Sequence, residues 1–290
     1  MLKGKVAVIT GASSGIGAVL AEQLASEGVQ LVLAARRKAE LDRVADRTRK
    51  RGVSALAVRC DVTDRVAAEA LIHAAAKEFG RLDILVNNAG RGHLAEVEDT
   101  TDEVIEHMFA LNVFALWYTT RPALVYMRRQ NSGHIINMSS MAGKIGFPFN
   151  SAYVAAKHAC SGFTHALRLE LTGTGISASA VYPAGVRTEW AQVTEGRPML
   201  PMLSESGPII KRLAAAQDAQ LPPIEGVVPP DRVARAIVDC IKRPAAEVYV
   251  HAGSHEFVVL SANNREEAEK FQIPVVMGER EVYEKMRQRK

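Results

Sequence analysis

Short runs of consecutive apolar residues alternate along most of the chain with longer stretches whose apolar positions recur at helical spacing. The apolar runs lack polar alternation, which is typical of strands buried on both faces of a sheet. Predicted strands occupy residues 6–9, 31–35, 55–58, 84–86, 134–138, 177–182 and 247–250, and the clearest predicted helices occupy 16–27, 38–50 and 64–79. This alternation predicts an α/β fold, a doubly wound parallel sheet of about seven strands with helices on both faces.

Two stretches depart from the alternation. Residues 190–230 hold seven of the chain's 12 prolines. Because a connection this long is usually functional, we predict a substrate-binding flap with a helix over 209–220. Pro230 and Asp231 predict the turn and N-cap of the next helix. The charged tail, 253–290, is predicted to extend a domain spanning 1–252, and to pack on it, reach a partner subunit or stay mobile.

Composition narrows the class of protein. The net charge of +4 is weak and its basic residues are interspersed with 32 acidic ones, which argues against nucleic-acid binding. No apolar run reaches the length of a membrane span. Cys60, Cys160 and Cys240 show no metal-ligand spacing, so we expect buried, reduced thiols. Together with the lack of a signal-peptide pattern, this leads us to expect a cytoplasmic protein.

A glycine-rich segment at residues 10–17, TGASSGIG, lies between the first predicted strand and the first predicted helix. Gly11 permits a tight turn, Gly15 lets the backbone approach a pyrophosphate, and Gly17 allows the helix to pack on the strand. The amides and dipole of the helix start favour an anion. The pattern predicts a Rossmann-type dinucleotide site, and the alternative is an incidental flexible turn. The other candidate phosphate-binding residues of the segment are Ser13, Ser14 and Ile16.

The residues after the second predicted strand indicate which dinucleotide binds. An acidic residue there would bind the ribose 2′-hydroxyl of NAD. This chain has Arg36 and Arg37 instead, and guanidinium groups suit a 2′-phosphate. We therefore predict NADP(H), with NAD(H) as the weaker alternative. A surface charge cluster at a helix start is the competing interpretation.

Tyr153 and Lys157 are four residues apart on a predicted helix and share a face. A free phenol has a pKa of about 10 and is a poor base at neutral pH. A nearby ammonium stabilises phenolate and lowers that pKa, so the pair is predicted to transfer a proton to or from a substrate oxygen. Taken alone, a Tyr/Lys pair at this spacing is more often an accident of a helix surface.

With these residues in place, the chain resembles the short-chain dehydrogenase/reductase (SDR) family. The resemblance runs from about residue 3 to about residue 250 in the family's order and spacing. It rests on the glycine segment, Asn87-Asn88-Ala89-Gly90, Asn112, Ser140 and Tyr153-x-x-x-Lys157. It implies an oxidoreductase that moves hydride between a nicotinamide and a carbonyl or alcohol.

The resemblance also implies catalytic roles. Tyr153 would be the general acid/base, and Lys157 would lower its pKa and hold the nicotinamide ribose. Ser140 would polarise the substrate carbonyl, while Ser139, the neighbouring alternative, points the other way at the strand end. Asn112 would hold a water in a proton relay to Lys157.

Further residues would bind the cofactor if the resemblance holds. Asp61 would bind the adenine amino group with Val62 beside it, whereas Asn87 is expected to tie strands together. The family's usual Pro-Gly after the sixth strand is Pro-Ala here, and Ala184 leaves the local backbone angles open. The adenosine side would be lined by Asn88, Ala89 and Gly90, and the carboxamide and phosphates would meet Pro183, Val186 and Thr188.

An apolar set of residues is expected to flank the nicotinamide, which predicts a bulky hydrophobic ketone, aldehyde or secondary alcohol as substrate. Packing in the core or in a subunit interface is an equally good interpretation. The set comprises Leu94, Met141, Phe147, Pro148, Phe149, Trp190, Met199, Leu200, Met202 and Leu203. Among the histidines, His93 is expected at the surface, with the edge of the substrate pocket as the alternative, and His158 is expected to pack or to lie at the surface. His251 and His255 lack the companions of a metal site.

The leading hypothesis is therefore an NADP(H)-dependent oxidoreductase of small-molecule carbonyls or alcohols, without a metal. A catalytically silent NADP(H)-binding redox sensor, an NAD-dependent alcohol dehydrogenase, and a sugar-nucleotide epimerase or dehydratase are the alternatives. The family resemblance further suggests a homodimer or homotetramer, for which apolar helix faces such as Phe163 and Leu167 are permissive.

Overall fold

The computed structural model describes residues 2–288, so Met1 and the last two residues of the predicted C-terminal extension lie outside it. Seven parallel strands form the main sheet in the order β3-β2-β1-β4-β6-β7-β9, and a parallel pair of short strands, β5 and β8, lies apart from it. The predicted α/β fold, a Rossmann-like parallel sheet flanked by helices, is confirmed. The strands are β1 (Val6–Thr10), β2 (Gln30–Ala35), β3 (Ala55–Arg59), β4 (Ile84–Asn87), β5 (His93–Leu94), β6 (Gly133–Met138), β7 (Ile176–Tyr182), β8 (Glu195–Gly196) and β9 (Glu247–Tyr249).

Helices follow most strands. A single π-helical turn, Ala110–Phe114, joins the fourth helix to the fifth, and a 3₁₀ turn, Met141–Gly143, follows β6. The helices are α1 (Gly15–Ser26), α2 (Lys38–Arg49), α3 (Arg65–Phe79), α4 (Asp102–Phe109), α5 (Ala115–Gln130), α6 (Ser151–Glu170), α7 (Trp190–Val193), α8 (Met199–Ala216), α9 (Pro230–Lys242), α10 (Ser254–Asn263) and α11 (Arg265–Gln288).

Apolar side chains cover both faces of the sheet. On one face α1 and α9 contribute Leu20, Leu24 and Ile237 to a core that includes Ile9 and Leu33. A second core is built from α3, α5 and α6, which contribute Leu71, Met127 and Leu167. Since β1 has β2 on one side and β4 on the other, the strand order reverses beside β1. In doubly wound sheets the crevice at the carboxyl ends beside such a reversal is where ligands bind.

Two helix boundaries differ from the sequence predictions. The helix predicted over 209–220 is α8, which begins at Met199 and ends at Ala216. Pro201 lies in its first turn, where the missing N–H has no helical partner, so this proline does not prevent the helix. The following helix begins at Pro230 with Pro229 as N-cap, so the predicted N-cap, Asp231, stands in the first turn instead.

The chain beyond β9 forms α10 and α11. Phe257 of α10 and Ala268 of α11 are buried in a cluster with Tyr182 of β7. The other end of α11 contributes Val282 and Tyr283 to a separate apolar cluster that includes the first turns of α8. The last long helix therefore spans from the edge of the sheet to the predicted flap.

Candidate active site

A cavity of about 560 Å³ opens at the carboxyl ends of the strands, beside the reversal in strand order. It is bordered by the turn after β1, the ends of β2, β3, β4 and β6, the catalytic candidates of α6, and the segment that follows β7. All of the predicted cofactor residues except Gly17, and the catalytic candidates Ser140, Tyr153 and Lys157, line it. Asn112 lies behind it, and its position is described below.

The glycine turn after β1 is closely packed. Gly11 has φ +65°, and a Cβ there would lie 2.9 Å from Asn88 Nδ2 and from the Cα of Ala89. A Cβ on Gly17 would lie 2.5 Å from the carbonyl oxygen of Gly11, so a larger residue would push α1 off the turn. Ser14 is the N-cap of α1 but makes no capping hydrogen bond, and the first turn carries no acidic side chain. The helix start is thus suited to an anion.

Arg36 and Arg37 border the cavity at the end of β2. Arg37 donates to Ser14 Oγ at 2.5 Å and to Glu189 Oε2 at 3.0 Å. Arg36 Nη1 lies 3.8 Å from Asp61 Oδ2, beyond hydrogen-bonding distance. Both guanidinium groups are about half exposed, with side-chain exposures of 49% and 45%.

Asp61 and Val62 follow β3 and line the same part of the cavity. Asp61 Oδ1 accepts hydrogen bonds from the backbone N–H of Thr63 at 3.0 Å and from its hydroxyl at 2.8 Å. Burial raises the pKa of Asp61, but these bonds and the Arg36 charge outweigh it, so the net pKa is lowered and the carboxylate stays ionised. Cys60, which the sequence analysis did not assign to the site, also lines the cavity, and burial raises its pKa to about 11.

The segment after β4 supports the glycine turn. Asn88 Nδ2 donates to the carbonyl oxygens of Thr10 at 2.9 Å and of Gly11 at 3.2 Å. Asn87 donates to Asn137 Oδ1 at 2.8 Å and so joins β4 to β6, as predicted. Asn88 thereby holds the glycine turn after β1 in place. Ala89 and Gly90, the next two residues, line the cavity.

Tyr153 lies in the first turn of α6 and is buried. Burial raises its pKa to about 12, and a hydrogen bond with Ser140 acts in the opposite direction without overcoming the effect. The sequence analysis predicted a lowered pKa, and for the protein alone that prediction is wrong. The reason is that burial outweighs the other effects, while Lys157 Nζ lies 5.6 Å from the ring centroid and donates to the carbonyl oxygen of Met138 at 2.8 Å.

Lys157 is itself buried, one turn after Tyr153, and burial lowers its pKa. Ser139 points away from the phenol, as predicted, with its hydroxyl on the carbonyl oxygen of Lys157 at 3.1 Å and on Ser161 at 2.9 Å. Ser140 is the serine that reaches Tyr153. Of the two serines that follow β6, Ser140 therefore contacts Tyr153, whereas Ser139 binds to α6 and holds it in place.

Asn112 lies in the π-helical turn and is 2% exposed. Its Nδ2 donates to the carbonyl oxygen of Met108 at 3.0 Å, while its buried Oδ1 has no partner among the described residues. A Cβ on Gly90 would lie 2.9 Å from that Oδ1 and 3.3 Å from Lys157 Nζ. The unpartnered oxygen and the ammonium thus approach one another over Gly90, and their polar atoms suit a bridging water.

The segment after β7 carries Pro183, Val186 and Thr188 along the cavity. Ala184 is absent from the residues with positive φ in 2–288, so its backbone accepts a Cβ without strain. Its N–H donates to His251 Nδ1 at 3.1 Å, and His251 Nε2 lies 2.9 Å from the carbonyl oxygen of Gly185. This supporting role of His251 was not predicted, because no local pattern links two residues so far apart in the sequence.

Fewer of the predicted apolar residues line the cavity than the sequence analysis expected. Of the ten apolar candidates, Trp190, Leu200 and Leu203 line the cavity. The rest of the set is packed elsewhere, for example Leu94, Met199 and Met202 in the cluster with Tyr283. The Trp190 ring centroid lies 5.5 Å from that of Tyr153, so the indole covers the candidate catalytic phenol.

Two further predictions concern the histidines and cysteines. His93, expected at the surface, is 1% exposed in β5, where a two-stranded pairing encloses it. His158 is exposed, as expected, and bonds the carbonyl oxygen of Val154. The three cysteines are free and buried. No cluster able to hold a metal ion, and no helix long and apolar enough to cross a membrane, occurs in residues 2–288.

Comparison with known proteins identifies the family. A model of the short chain dehydrogenase family matches residues 5–197. The chain belongs to the short-chain dehydrogenase/reductase family. An uncharacterised oxidoreductase of Staphylococcus saprophyticus is 35% identical to this SDR over 246 residues, which cover 84% of this chain and 92% of the relative.

Solved structures show the same fold with nicotinamide cofactors. An SDR from Burkholderia phymatum in complex with NAD superposes with a TM-score of 0.78 at 30% identity, over 91% of this chain and 95% of that one. An alcohol dehydrogenase from the archaeon Thermococcus sibiricus, complexed with 5-hydroxy-NADP, gives a TM-score of 0.71 at 25% identity, over 86% and 96%. This SDR is an oxidoreductase that acts on an alcohol or carbonyl with a nicotinamide nucleotide.

The residues of the cavity fit such a nucleotide. The tight glycine turn, the α1 start without an acidic neighbour, and the unpartnered Asn112 Oδ1 beside Lys157 are the features that a phosphate and a bridged ribose would use. Arg36 and Arg37 line the same cavity as the Tyr153 phenol.

Proposed function

We propose that this SDR is an NADP(H)-dependent oxidoreductase that interconverts a hydrophobic carbonyl compound and its secondary alcohol. The observation that carries the proposal is the arrangement at the foot of the cavity. There a buried Tyr153 phenol is hydrogen-bonded to Ser140, with the Lys157 ammonium one helical turn away. A protein that only senses nucleotide has no need of this set.

The raised pKa of Tyr153 is consistent with a proton donor in reduction. With a pKa of about 12 the phenol is protonated at neutral pH and is a proton donor. When bound, the reduced nicotinamide supplies a hydride to the carbonyl carbon. As negative charge grows on the carbonyl oxygen, the hydroxyls of Ser140 and Tyr153 donate hydrogen bonds to it, and the Tyr153 proton is transferred.

Lys157 and Asn112 assist the transfer of the Tyr153 proton. The buried ammonium stabilises the phenolate that forms after transfer, since an unpaired charge in this buried site would be costly. A water between Asn112 Oδ1 and Lys157 Nζ would then carry a proton back towards the phenolate through the ribose hydroxyl. In the oxidative direction the same groups remove the alcohol proton.

The preference for NADP(H) rests on the two guanidinium groups at the end of β2. Arg36 makes no hydrogen bond among the described residues and is free to bind a 2′-phosphate. Arg37 already bonds the Ser14 hydroxyl beside the phosphate-binding turn. Asp61, the carboxylate nearest to Arg36, follows β3 rather than β2, the strand end at which NAD-dependent proteins carry their acidic residue.

A hydrophobic substrate is favoured by the walls of the reacting side. Trp190 covers Tyr153, and Leu200 and Leu203 line the outer wall while remaining 49% and 57% exposed. Apolar side chains exposed at the mouth of a cavity gain from covering by an apolar ligand. We place the substrate's bulk against this wall and its carbonyl oxygen between Ser140 and Tyr153.

We further propose a homodimer or homotetramer, in a cytoplasmic setting. Phe114 and Leu169 on the π-helical turn and α6 are 48% and 75% exposed, which suits burial against a second copy. Three free, buried thiols suit a reducing compartment.

A substrate panel tests the proposal. Hydrophobic ketones and aldehydes are offered with NADPH, and the corresponding alcohols with NADP⁺, while nucleotide absorbance is followed. We expect NADPH consumption with apolar carbonyls and little with sugars. Tight NADPH binding by calorimetry without turnover of any panel member would favour the silent sensor instead.

A further inference from the structure

Three segments meet at one side chain of the last helix: the turn after β5, the residues just before α6, and the residue that follows β8. Tyr283 of α11 is 1% exposed. Its ring stacks on Phe149 with a centroid distance of 4.3 Å and an interplanar angle of 6°. Its hydroxyl accepts a hydrogen bond from the backbone N–H of Glu96 at 3.0 Å, and the Arg197 guanidinium lies 5.0 Å from the ring centroid.

Phe149 has a strained backbone. Its φ is +60°, in the left-handed region that an aromatic residue rarely adopts. Such a conformation persists only where the surroundings hold it. Here the carbonyl oxygen of Phe149 accepts from the N–H of Ala95 at 2.8 Å, and the ring is held by Tyr283. Since α6 begins at Ser151, this strain stands at the entry to the helix that carries Tyr153.

The flap is attached to the same residue. The backbone N–H of Arg197 donates to the carbonyl oxygen of Leu94 at 2.8 Å, next to the β5–β8 pairing. The Arg197 side chain faces the Tyr283 ring. Met199 and Met202 of α8 are buried in one cluster with Tyr283, and Trp190 packs against that cluster. A chain of contacts therefore runs from α11 through the flap to the indole that covers Tyr153.

The opposite end of α11 is anchored independently. Phe271 packs edge-on against Phe257 of α10, with ring centroids 6.2 Å apart. Removing the Tyr283 ring is therefore expected to loosen residues 195–197 without detaching α11, which is also held to α8 by the Arg212–Glu281 ion pair at 2.9 Å. The family model ends at residue 197, so α11 lies outside the region that this SDR shares with that model.

We propose that Tyr283 is a positioning residue for the substrate site. It holds Phe149 and the flap so that Trp190 stays closed over Tyr153, and it thereby restricts which substrates reach the reacting side. The part about substrates rests on the proposed function, whereas the part about the flap does not.

Amide hydrogen exchange tests the positioning without any substrate. The backbone N–H groups of Glu195 and Arg197, bonded to Gly92 at 3.0 Å and Leu94 at 2.8 Å, report on the closed flap. In Tyr283→Ala these amides should exchange at least about 10-fold faster, because fewer contacts oppose local opening. Phe271→Ala, a ring removal on the same helix, should leave their rates unchanged.

Kinetics with the best substrate of the panel separates positioning from general damage. Tyr283→Ala should raise KM for the carbonyl by about 10-fold or more with a smaller change in kcat, while the Kd of NADPH stays as in the wild type. Tyr283→Phe keeps the stack and should restore most of the loss. Arg197→Gln, which removes the guanidinium over the Tyr283 ring and keeps the backbone N–H bonded to Leu94, should raise KM in the same direction by a smaller factor.

The outcomes are distinct. Equal exchange at Glu195 and Arg197 in Tyr283→Ala and wild type, or a KM increase matched by Phe271→Ala, overturns the positioning role. If the wild type turns over no carbonyl at all, the proposed function fails. In that case the exchange experiment still decides whether Tyr283 holds the flap.

Discussion

Removal of the Arg36 guanidinium tests the choice between NADPH and NADH. Arg36 is 3.8 Å from Asp61 and about half exposed, so it gives up no hydrogen bond within residues 2–288 to bind a phosphate. A hydrogen bond to a charged group contributes about 1.5–3 kcal/mol, and solvent screening at an exposed site favours the lower end. Since about 1.4 kcal/mol is a factor of ten, Arg36→Ala should lower kcat/KM for NADPH about 10-fold.

Arg37 is expected to contribute differently. It already bonds Glu189 at 3.0 Å, so part of its charge is neutralised before a nucleotide binds. Glu189→Gln should therefore increase the affinity for NADPH, because it weakens the competing interaction of Arg37 and removes a negative charge near the phosphate. NADH, which lacks the 2′-phosphate, should be nearly unaffected by either change.

The assay is kcat/KM for both nucleotides at low and at high salt, since screening weakens interactions between exposed charges. Lys38→Ala is a matched control, because Lys38 carries the same charge two residues after Arg36 and pairs with Asp42 at 2.6 Å, away from the cavity. Equal use of NADPH and NADH by the wild type, unaltered by Arg36→Ala, would refute the reasoning.

Four further predictions concern the wall of the cavity, the support of its cofactor-binding segment and the stability of the protein. A Cβ on Gly92 would lie 2.2 Å from Trp190 Cζ2, so Gly92→Ala must displace the indole. Because a misplacement of about 1 Å can slow a reaction about 100-fold, kcat/KM for a bulky ketone should fall by up to that factor. Trp190→Ala should instead broaden the substrate range, and an unchanged range would contradict the assigned wall. His251→Ala should raise the Kd of NADPH in calorimetry, because Ala184 and Gly185 lose their shared hydrogen-bond partner. An unchanged Kd would show that the segment after β7 keeps its position without His251. Burial raises the pKa of Glu279 to about 7, above the 4.5 of a free side chain, so the folded protein holds a proton that the unfolded chain releases in between. The free energy of unfolding should therefore fall as pH rises across that window, by at most about 3 kcal/mol, and Glu279→Gln should remove this contribution from the change in melting temperature across the same window.

The sheet was predictable from the sequence because its strands are buried on both faces. Runs such as residues 31–35 are continuously apolar for that reason, and their limits agree with β2 to within one residue. The flap was harder to predict, since the helix predicted over 209–220 begins ten residues earlier, with Pro201 in the first turn of α8 and Pro208 inside the helix.

The candidate site divides in the same way. Local patterns predicted the glycine turn, the arginines and the Tyr153/Lys157 pair, because each occupies one element or one turn. They did not predict His251 as a support for Ala184, or Tyr283 as the partner of Phe149, since these contacts join distant segments. The direction of the Tyr153 pKa shift was also wrong, because burial is a property of the folded protein and not of a spacing.

Proton transfer by Tyr153 is the claim on which the account depends most. Its most direct test is a single-turnover measurement of NADPH oxidation with a carbonyl substrate in the Tyr153→Phe variant. Loss of the hydroxyl should slow the step by about 100- to 10,000-fold while NADPH binding, followed by calorimetry, stays nearly intact. Tyr126→Phe, which removes a hydroxyl bonded to His73 outside the cavity, is the control and should retain full activity. Full activity of Tyr153→Phe would contradict the account.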